Sequence, residues 1–182
     1  NKNDILHRAI SGGDYTQKKV EETNTPSMDI QIASNFERLL YDVKDCNSEV
    51  TKDVMSKIKN NTYKIDKSDL DEIKKNFTSE MLDENETVEM IKIINDENQI
   101  VVDPHTAVGI GAVRKLGLEK NCVALSTAHP SKFPKAIEDA ISKTENLPDS
   151  LKYVNDRKEK FELLSNDIEK VKKYVMNSIW NL

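Results

Sequence analysis

Cysteine is scarce in this chain, and the two present, Cys46 and Cys122, lie far apart, one in a polar segment and one in an apolar run. That pattern excludes a disulfide framework and fits free thiols in a reducing compartment. Aromatic residues make up only 5% of the chain against 32% charged and 37% hydrophobic, a balance that suits a helix-rich protein with much charged surface better than a large sheet core. No apolar run approaches the ~18 residues needed to cross a membrane, and the polar start Asn1 to Asp4 is not a signal peptide. No membrane partner is therefore expected, and the cytoplasm is the default location. Formal charge is −5, with lysines and acids interspersed, so no basic face suited to nucleic acid is present. His7, His105 and His129 have no cysteine or acid partners at ligand spacing, and no metal site is expected.

What is present is most informative between residues 101 and 133. Val101-Val102 closes on Asp103-Pro104-His105-Thr106, which predicts a buried strand whose last residue caps a helix with proline in its first turn. That helix should stop near Leu116, where Gly117 supplies a left-handed residue. A second apolar run, Cys122 to Leu125, then leads into Ser126-Thr127-Ala128-His129-Pro130. The whole reads as a β-α-β unit. In an open α/β sheet ligands meet the carboxyl ends of strands, so the hydroxyls of Ser126 and Thr127 fall at a candidate site. Gly109-Ile110-Gly111 lacks the third glycine of a dinucleotide loop and lies inside the helix. Ala107, Gly111 and Ala112 instead thin the helix for close approach to a sheet.

Elsewhere the pattern is helical. Asp4 to Ser11 predicts a short helix ended by Gly12-Gly13, followed by a polar, loop-like stretch from Asp14 to Thr25. Ser34 with Glu37 matches a capping box before a helix from Asn35 to about Val43. From Asn47 to Asn98 no glycine or proline interrupts three charged amphipathic helices: one marked by Val50, Val54, Met55 and Ile58, one capped by Ser68 with Asp71 and carrying Leu70, Ile73 and Phe77, and one capped by Asp83 with Glu86 and carrying Val88, Ile91 and Ile94. They suggest a small helical subdomain beside the sheet. Pro134 opens a helix through Ile141 with Ala136, Ile137, Ala140 and Ile141 inward. Past Pro148 the tail predicts two charged helices, the last from about Asn166, with Trp180 anchoring its end.

Taken together, the Asp103-Pro-His-Thr and Ser126-Thr-Ala-His-Pro segments resemble the C-terminal part of threonine synthase, and Asn1-Lys-Asn-Asp-Ile-Leu, Pro26-Ser-Met-Asp-Ile and Ser34-Asn-Phe-Glu-Arg-Leu-Leu agree in order and separation. The resemblance runs to about Ile141 and is closest to the long bacterial and fungal branch, which carries a helical elaboration. It implies an α/β fold, the C-terminal part of a pyridoxal-phosphate-dependent fold type II domain like the tryptophan synthase β chain, helix-rich, with a helical insertion and a helical tail. The expected organisation is residues 1–46 and 99–144 in the cofactor-binding domain, 47–98 as the insertion and 145–182 as the tail. The implied function is conversion of O-phospho-L-homoserine and water to L-threonine and phosphate with pyridoxal 5′-phosphate. The family's Schiff-base lysine and glycine-rich phosphate cup lie upstream of the Asn1-Lys2-Asn3-Asp4 segment and are not in this sequence. The chain also opens without an initiator methionine. These features lead us to expect a portion of the enzyme, with the N-terminal half as its partner, and no activity from the portion alone. Two rivals stand beside this reading: a noncatalytic module retaining half of an enzyme fold, and a serine or threonine dehydratase of the same cofactor fold.

The resemblance implies that Thr127, or failing it Ser126, meets the pyridine nitrogen of the cofactor. A threonine that caps a helix or ties a turn is the structural alternative. Asn35 and Arg38, three apart at a helix start, are substrate-side candidates, since a guanidinium there can clamp a phosphate. An ion pair to a nearby acid is the alternative. Ser27 and Asp29 complete the candidate set. His129 is read as ordering its turn, and His105 as a satisfied or exposed histidine.

Overall fold

The structure, a computed structural model, describes residues 1–154 and 156–180, with the side chain of Trp180 outside that description. The anchoring role expected of Trp180 therefore lies outside the described residues. By its contacts the chain divides into two compact units, Asn1–Glu145 and Asn146–Leu182.

The first unit contains helices α1 (Ile5–Gly12), α2 (Phe36–Val43), α3 (Ser48–Lys59), α4 (Lys67–Lys74), α5 (Glu84–Asn98), α6 (Pro104–Lys115) and α7 (Pro134–Ile141), with single 3-10 turns at Pro26–Met28, Glu119–Asn121 and Pro130–Lys132. These helices form two apolar clusters. In the first, Ile5 of α1, Leu40 of α2, Ile58 of α3 and Ile73 of α4 are each essentially inaccessible to water. Tyr15 belongs there too, stacked on Phe36 with ring centroids 5.5 Å apart, while its hydroxyl accepts the Ala33 N–H at 2.9 Å. The stretch after α1, expected as a polar loop, thus contributes a core aromatic. In the second cluster Ile91 of α5, Ala107 of α6 and Ile137 of α7 are fully buried against one another. The three helices of residues 47–98 do not pack as a group, because the buried stripe of α5 faces α6 and α7 while those of α3 and α4 face α1 and α2.

Local signals explain most helix boundaries, and two capping boxes fail for visible reasons. At α5 the Asp83 carboxylate accepts the Glu86 N–H at 2.9 Å and the Glu86 carboxylate accepts the Asp83 N–H at 2.8 Å. The Lys115 ammonium, and after it the Asp83 N–H, holds the Glu86 carboxyl below its ordinary range, which also ties α6 to the start of α5. The box expected of Ser34 and Glu37 does not form, since α2 starts at Phe36 with a helical Asn35 in the cap position and no side-chain cap bond. Ser68 does not cap α4 because the helix begins one residue earlier, after an extended Asp66. At α6 the reading holds: Asp103 caps, Pro104 follows, and Gly117 with φ +67° ends the turn.

The α/β class is not confirmed, because no strand occurs among the described residues. Val101 and Val102 pack as half-buried residues on the second cluster, and Cys122 to Leu125, which begins on an extended Cys122, is open to solvent, with Val123 86% and Leu125 78% exposed. A strand exists only when a neighbour satisfies its peptide N–H and C=O groups, and no described segment lies alongside to do so. Cys122, expected to be buried, is an exposed free thiol like Cys46. The small residues of α6 likewise meet no sheet. A Cβ on Gly111 would stand 2.3 Å from a methyl of Leu82, so this glycine admits the buried side chain that precedes α5.

In the second unit, α8 (Ile168–Trp180) is capped by Asp167, whose carboxylate accepts the Glu169 and Lys170 N–H groups at 3.0 and 3.2 Å. Ile168 and Ile179 remain exposed. The first of the two tail helices expected after Pro148 is absent among the described residues, where Leu151, Phe161 and Leu163 are exposed. A short helix without a packing surface is marginal in water.

Two glycines of α6 test this packing against each other. Gly109 has open space around it, so Gly109→Ala should raise stability by about 0.5–1 kcal/mol through helix propensity. Gly111→Ala should lower it by about 1–2 kcal/mol, overpacking against Leu82 outweighing the same gain. Urea unfolding measures both, and equal shifts would refute the close contact.

Candidate functional site

The site is built around Asp103, whose carboxylate has no exposure to water. Its position as the residue before Pro104 places it at the mouth of α6, where unpaired N–H groups favour an acceptor. Oδ1 accepts the backbone N–H of His105 at 3.0 Å and lies 2.9 Å from His105 Nδ1. Oδ2 accepts a hydrogen bond from the Thr106 hydroxyl. On the far side of the imidazole, Nε2 accepts the Ser27 N–H at 3.2 Å. An acceptor at Nε2 is unprotonated, so the ring proton sits on Nδ1 and is given to Asp103. His105 is thereby satisfied, as read from the sequence, and its ring also packs on Phe133 at 4.7 Å. The Thr106 oxygen in turn accepts the Thr127 N–H at 3.1 Å. One buried acid therefore ties the Ser27 loop, the start of α6 and the segment carrying Thr127.

These three pieces enclose a cleft of about 550 Å³ lined by Ser27, Met28, Ser79, Val108, Ala112 and Thr127 among others. Thr127 is exposed at its rim, and its hydroxyl has no hydrogen bond among the described residues. Ser126, one residue earlier, is exposed. Ser27 and Thr127 are thus brought together. Asp29 is placed differently, because its carboxylate accepts from the Asn1 side chain at 2.8 Å, the Asn3 side chain at 2.9 Å, and the Thr23 hydroxyl and N–H at 2.6 and 2.9 Å. With so many donors on its two oxygens, Asp29 organises the loop that presents Ser27.

Asn35 and Arg38 line a second, open cleft of about 790 Å³ between α2 and α3, with Tyr41, Thr51 and Lys52. The Arg38 guanidinium donates to the Asn35 side-chain oxygen at 3.1 Å and forms no ion pair among the described residues, so the acid partner that was its alternative is missing. His129 orders its own turn, Nδ1 accepting the Ser131 N–H at 3.2 Å. His7, without a visible partner in sequence, stands 3.2 Å from the Ser79 hydroxyl. Among the described residues no group of three or more His, Cys, Asp or Glu side chains is placed to hold a metal ion.

Sequence reasoning read Asp103 only as a cap and passed over Thr106. The signal that would have found them is their spacing: on a first helical turn, residues two and three beyond the cap return to its side chain.

Removing the hub should be costly. Asp103→Ala leaves the His105 and Thr106 donors without their acceptor and should lower stability by about 2–4 kcal/mol in urea unfolding. An unchanged midpoint would show that the network carries no load.

The family model described as "Threonine synthase, C-terminal" matches residues 106–175. Threonine synthase of Pseudomonas aeruginosa is 36% identical over 179 residues, covering 96% of this chain and 38% of that protein, and that of Saccharomyces cerevisiae is 37% identical over 202 residues, covering 94% and 39%. The solved pyridoxal-phosphate-bound threonine synthase of Brucella melitensis superposes with a TM-score of 0.79 at 33% identity over 97% of this chain and 39% of that one. The yeast enzyme structure gives a TM-score of 0.79 at 34% identity over 100% and 41%. The chain spans about two fifths of the length of these relatives. It belongs to the threonine synthase family, as a relative of the C-terminal region of those enzymes.

Proposed function

We propose that this chain supplies the C-terminal part of a threonine synthase, in which O-phospho-L-homoserine and water are converted to L-threonine and phosphate with pyridoxal 5′-phosphate. The observation that carries this reading is the unpartnered Thr127 hydroxyl at the rim of a cleft whose walls are tied together by Asp103. The solved Brucella relative is described as bound to pyridoxal phosphate, which supports the choice of cofactor. The residues present also fit such a group in kind. Val108, Gly109 and Ala112 offer a small apolar wall for an aromatic ring, and the hydroxyls of Ser27 and Thr127 offer donors for its polar edge.

When bound, the cofactor supplies an electron sink for carbanion character at the substrate's carbons. The chain's own contribution is orientation and electronic tuning. A Thr127 hydroxyl donates a hydrogen bond to a ring nitrogen without placing a proton on it, whereas a carboxylate would keep that nitrogen protonated. Arg38, free of acid partners, and Asn35 line the open cleft beside α2 as the substrate-side candidates, where a guanidinium fork suits a phosphate. The Schiff-base lysine and phosphate cup implied by the family are not among these residues, so turnover is expected of a polypeptide that carries them as well.

Two measurements on a full-length threonine synthase containing this sequence test the assignment. Thr127→Val should weaken cofactor binding about three- to tenfold, as loss of one hydrogen bond does, and shift the cofactor absorbance, while Ser126→Ala leaves both unchanged. The reverse pattern would move the role to Ser126. Arg38→Ala should raise KM for O-phosphohomoserine about tenfold or more, with cofactor absorbance unaltered. An unchanged KM would remove Arg38 from the substrate side.

A further inference from the structure

Residues 122–127 carry the candidate cofactor contact, yet they are exposed, lie in no helix and are joined to α6 by a single hydrogen bond among the described residues, from the Thr127 N–H to the Thr106 hydroxyl oxygen. That oxygen is not an arbitrary acceptor. A hydroxyl has one proton to give, and the proton of Thr106 is committed to Oδ2 of Asp103, which leaves its lone pairs directed to Thr127. Thr106 is 3% exposed and Asp103 wholly buried, so no water competes for either group. In such surroundings a bond to a carboxylate is strong, and it polarises the next bond in the chain. The other oxygen of the same carboxylate fixes the His105 ring that receives the Ser27 N–H.

We infer that Thr106, backed by Asp103, is a positioning residue for the Thr127 hydroxyl, setting its height and direction at the cleft and thereby the affinity and electronic state of the ring bound there. The inference rests on the reading that Thr127 meets the ring nitrogen of the cofactor. Its physical content is separate from that reading. Thr127 makes the contact, and Thr106 determines where the contact is made. A polar group held by one tether moves when the tether is cut, and a displacement of about 1 Å is enough to spoil a directed hydrogen bond. Thr106 touches neither ring nor substrate in this role. Its methyl group is incidental, so serine should replace it and valine, nearly identical in shape, should not.

The test uses a full-length threonine synthase containing this sequence, with Thr106→Val, Thr106→Ser, Thr127→Val and the double valine variant. In the cofactor-free protein, hydrogen exchange at the Thr127 amide should be slower than at Ser126 and Ala128, should quicken about tenfold in Thr106→Val, and should recover in Thr106→Ser. Pyridoxal 5′-phosphate should bind about three- to tenfold more weakly to Thr106→Val with a shifted absorbance band, and near-normally to Thr106→Ser. The double valine variant should be no weaker than Thr127→Val alone, because both changes act through one contact. If Thr127→Val weakens binding while Thr106→Val leaves affinity and absorbance unchanged, the positioning role is overturned and the cofactor assignment stands. If Thr127→Val itself changes nothing, the cofactor assignment fails, whatever the amide does. Should Thr106→Val not fold, the unsubstituted protein decides: a Thr127 amide exchanging as fast as its two neighbours overturns the tether.

Discussion

The carboxylate of Asp103 is wholly out of water, and the arrangement of the candidate site depends on how its two oxygens are occupied. A buried anion is tolerated only when donors surround it, and here they come from the first turn of its own helix: a backbone N–H, an imidazole N–H and a hydroxyl. The two side-chain donors each accept on their other face, the imidazole from the Ser27 N–H and the hydroxyl from the Thr127 N–H. Segments about eighty and twenty residues away in sequence are thus brought to one cleft by a single side chain. Asp29 does comparable work for the loop behind Ser27, gathering Asn1, Asn3 and Thr23.

Packing supports this hub from beneath. Ala107, the residue after Thr106, is buried between Ile91 of α5 and Ile137 of α7, so the turn that presents the donors stands on the second apolar cluster. Gly111 one turn later admits Leu82, and the Lys115 ammonium reaches the Glu86 carboxylate of the α5 cap. Both ends of α6 are therefore fixed to α5. A rigid helix under a lightly tethered segment is a sound base for a contact that has to be aimed.

Much of this was legible in the chain. The helices were readable because apolar spacing of three and four residues and local caps act within one turn, as at Asp83 with Glu86 or Asp103 with Pro104. What failed needed information from outside the segment. Cys122 to Leu125 carries the apolar content of a buried strand, but a strand also requires a neighbour, and composition does not supply one. Ser34 and Ser68 have capping sequences, yet α2 starts after a helical Asn35 and α4 starts one residue before Ser68. Tyr15 was hidden in a polar stretch, because a lone aromatic has no period to reveal its face. Thr127 is a candidate from its place after an apolar run and from the resemblance, whereas the hydrogen bond from its N–H to Thr106 is visible only in the geometry.

The open stretch from Cys122 to Leu125 has a practical corollary for anyone handling this polypeptide. It offers bare peptide groups along both edges, two large aliphatic side chains in water and a thiol. Such a ribbon is a template to which another molecule of the same kind can add by backbone pairing, and its sulfur can then be cross-linked by air.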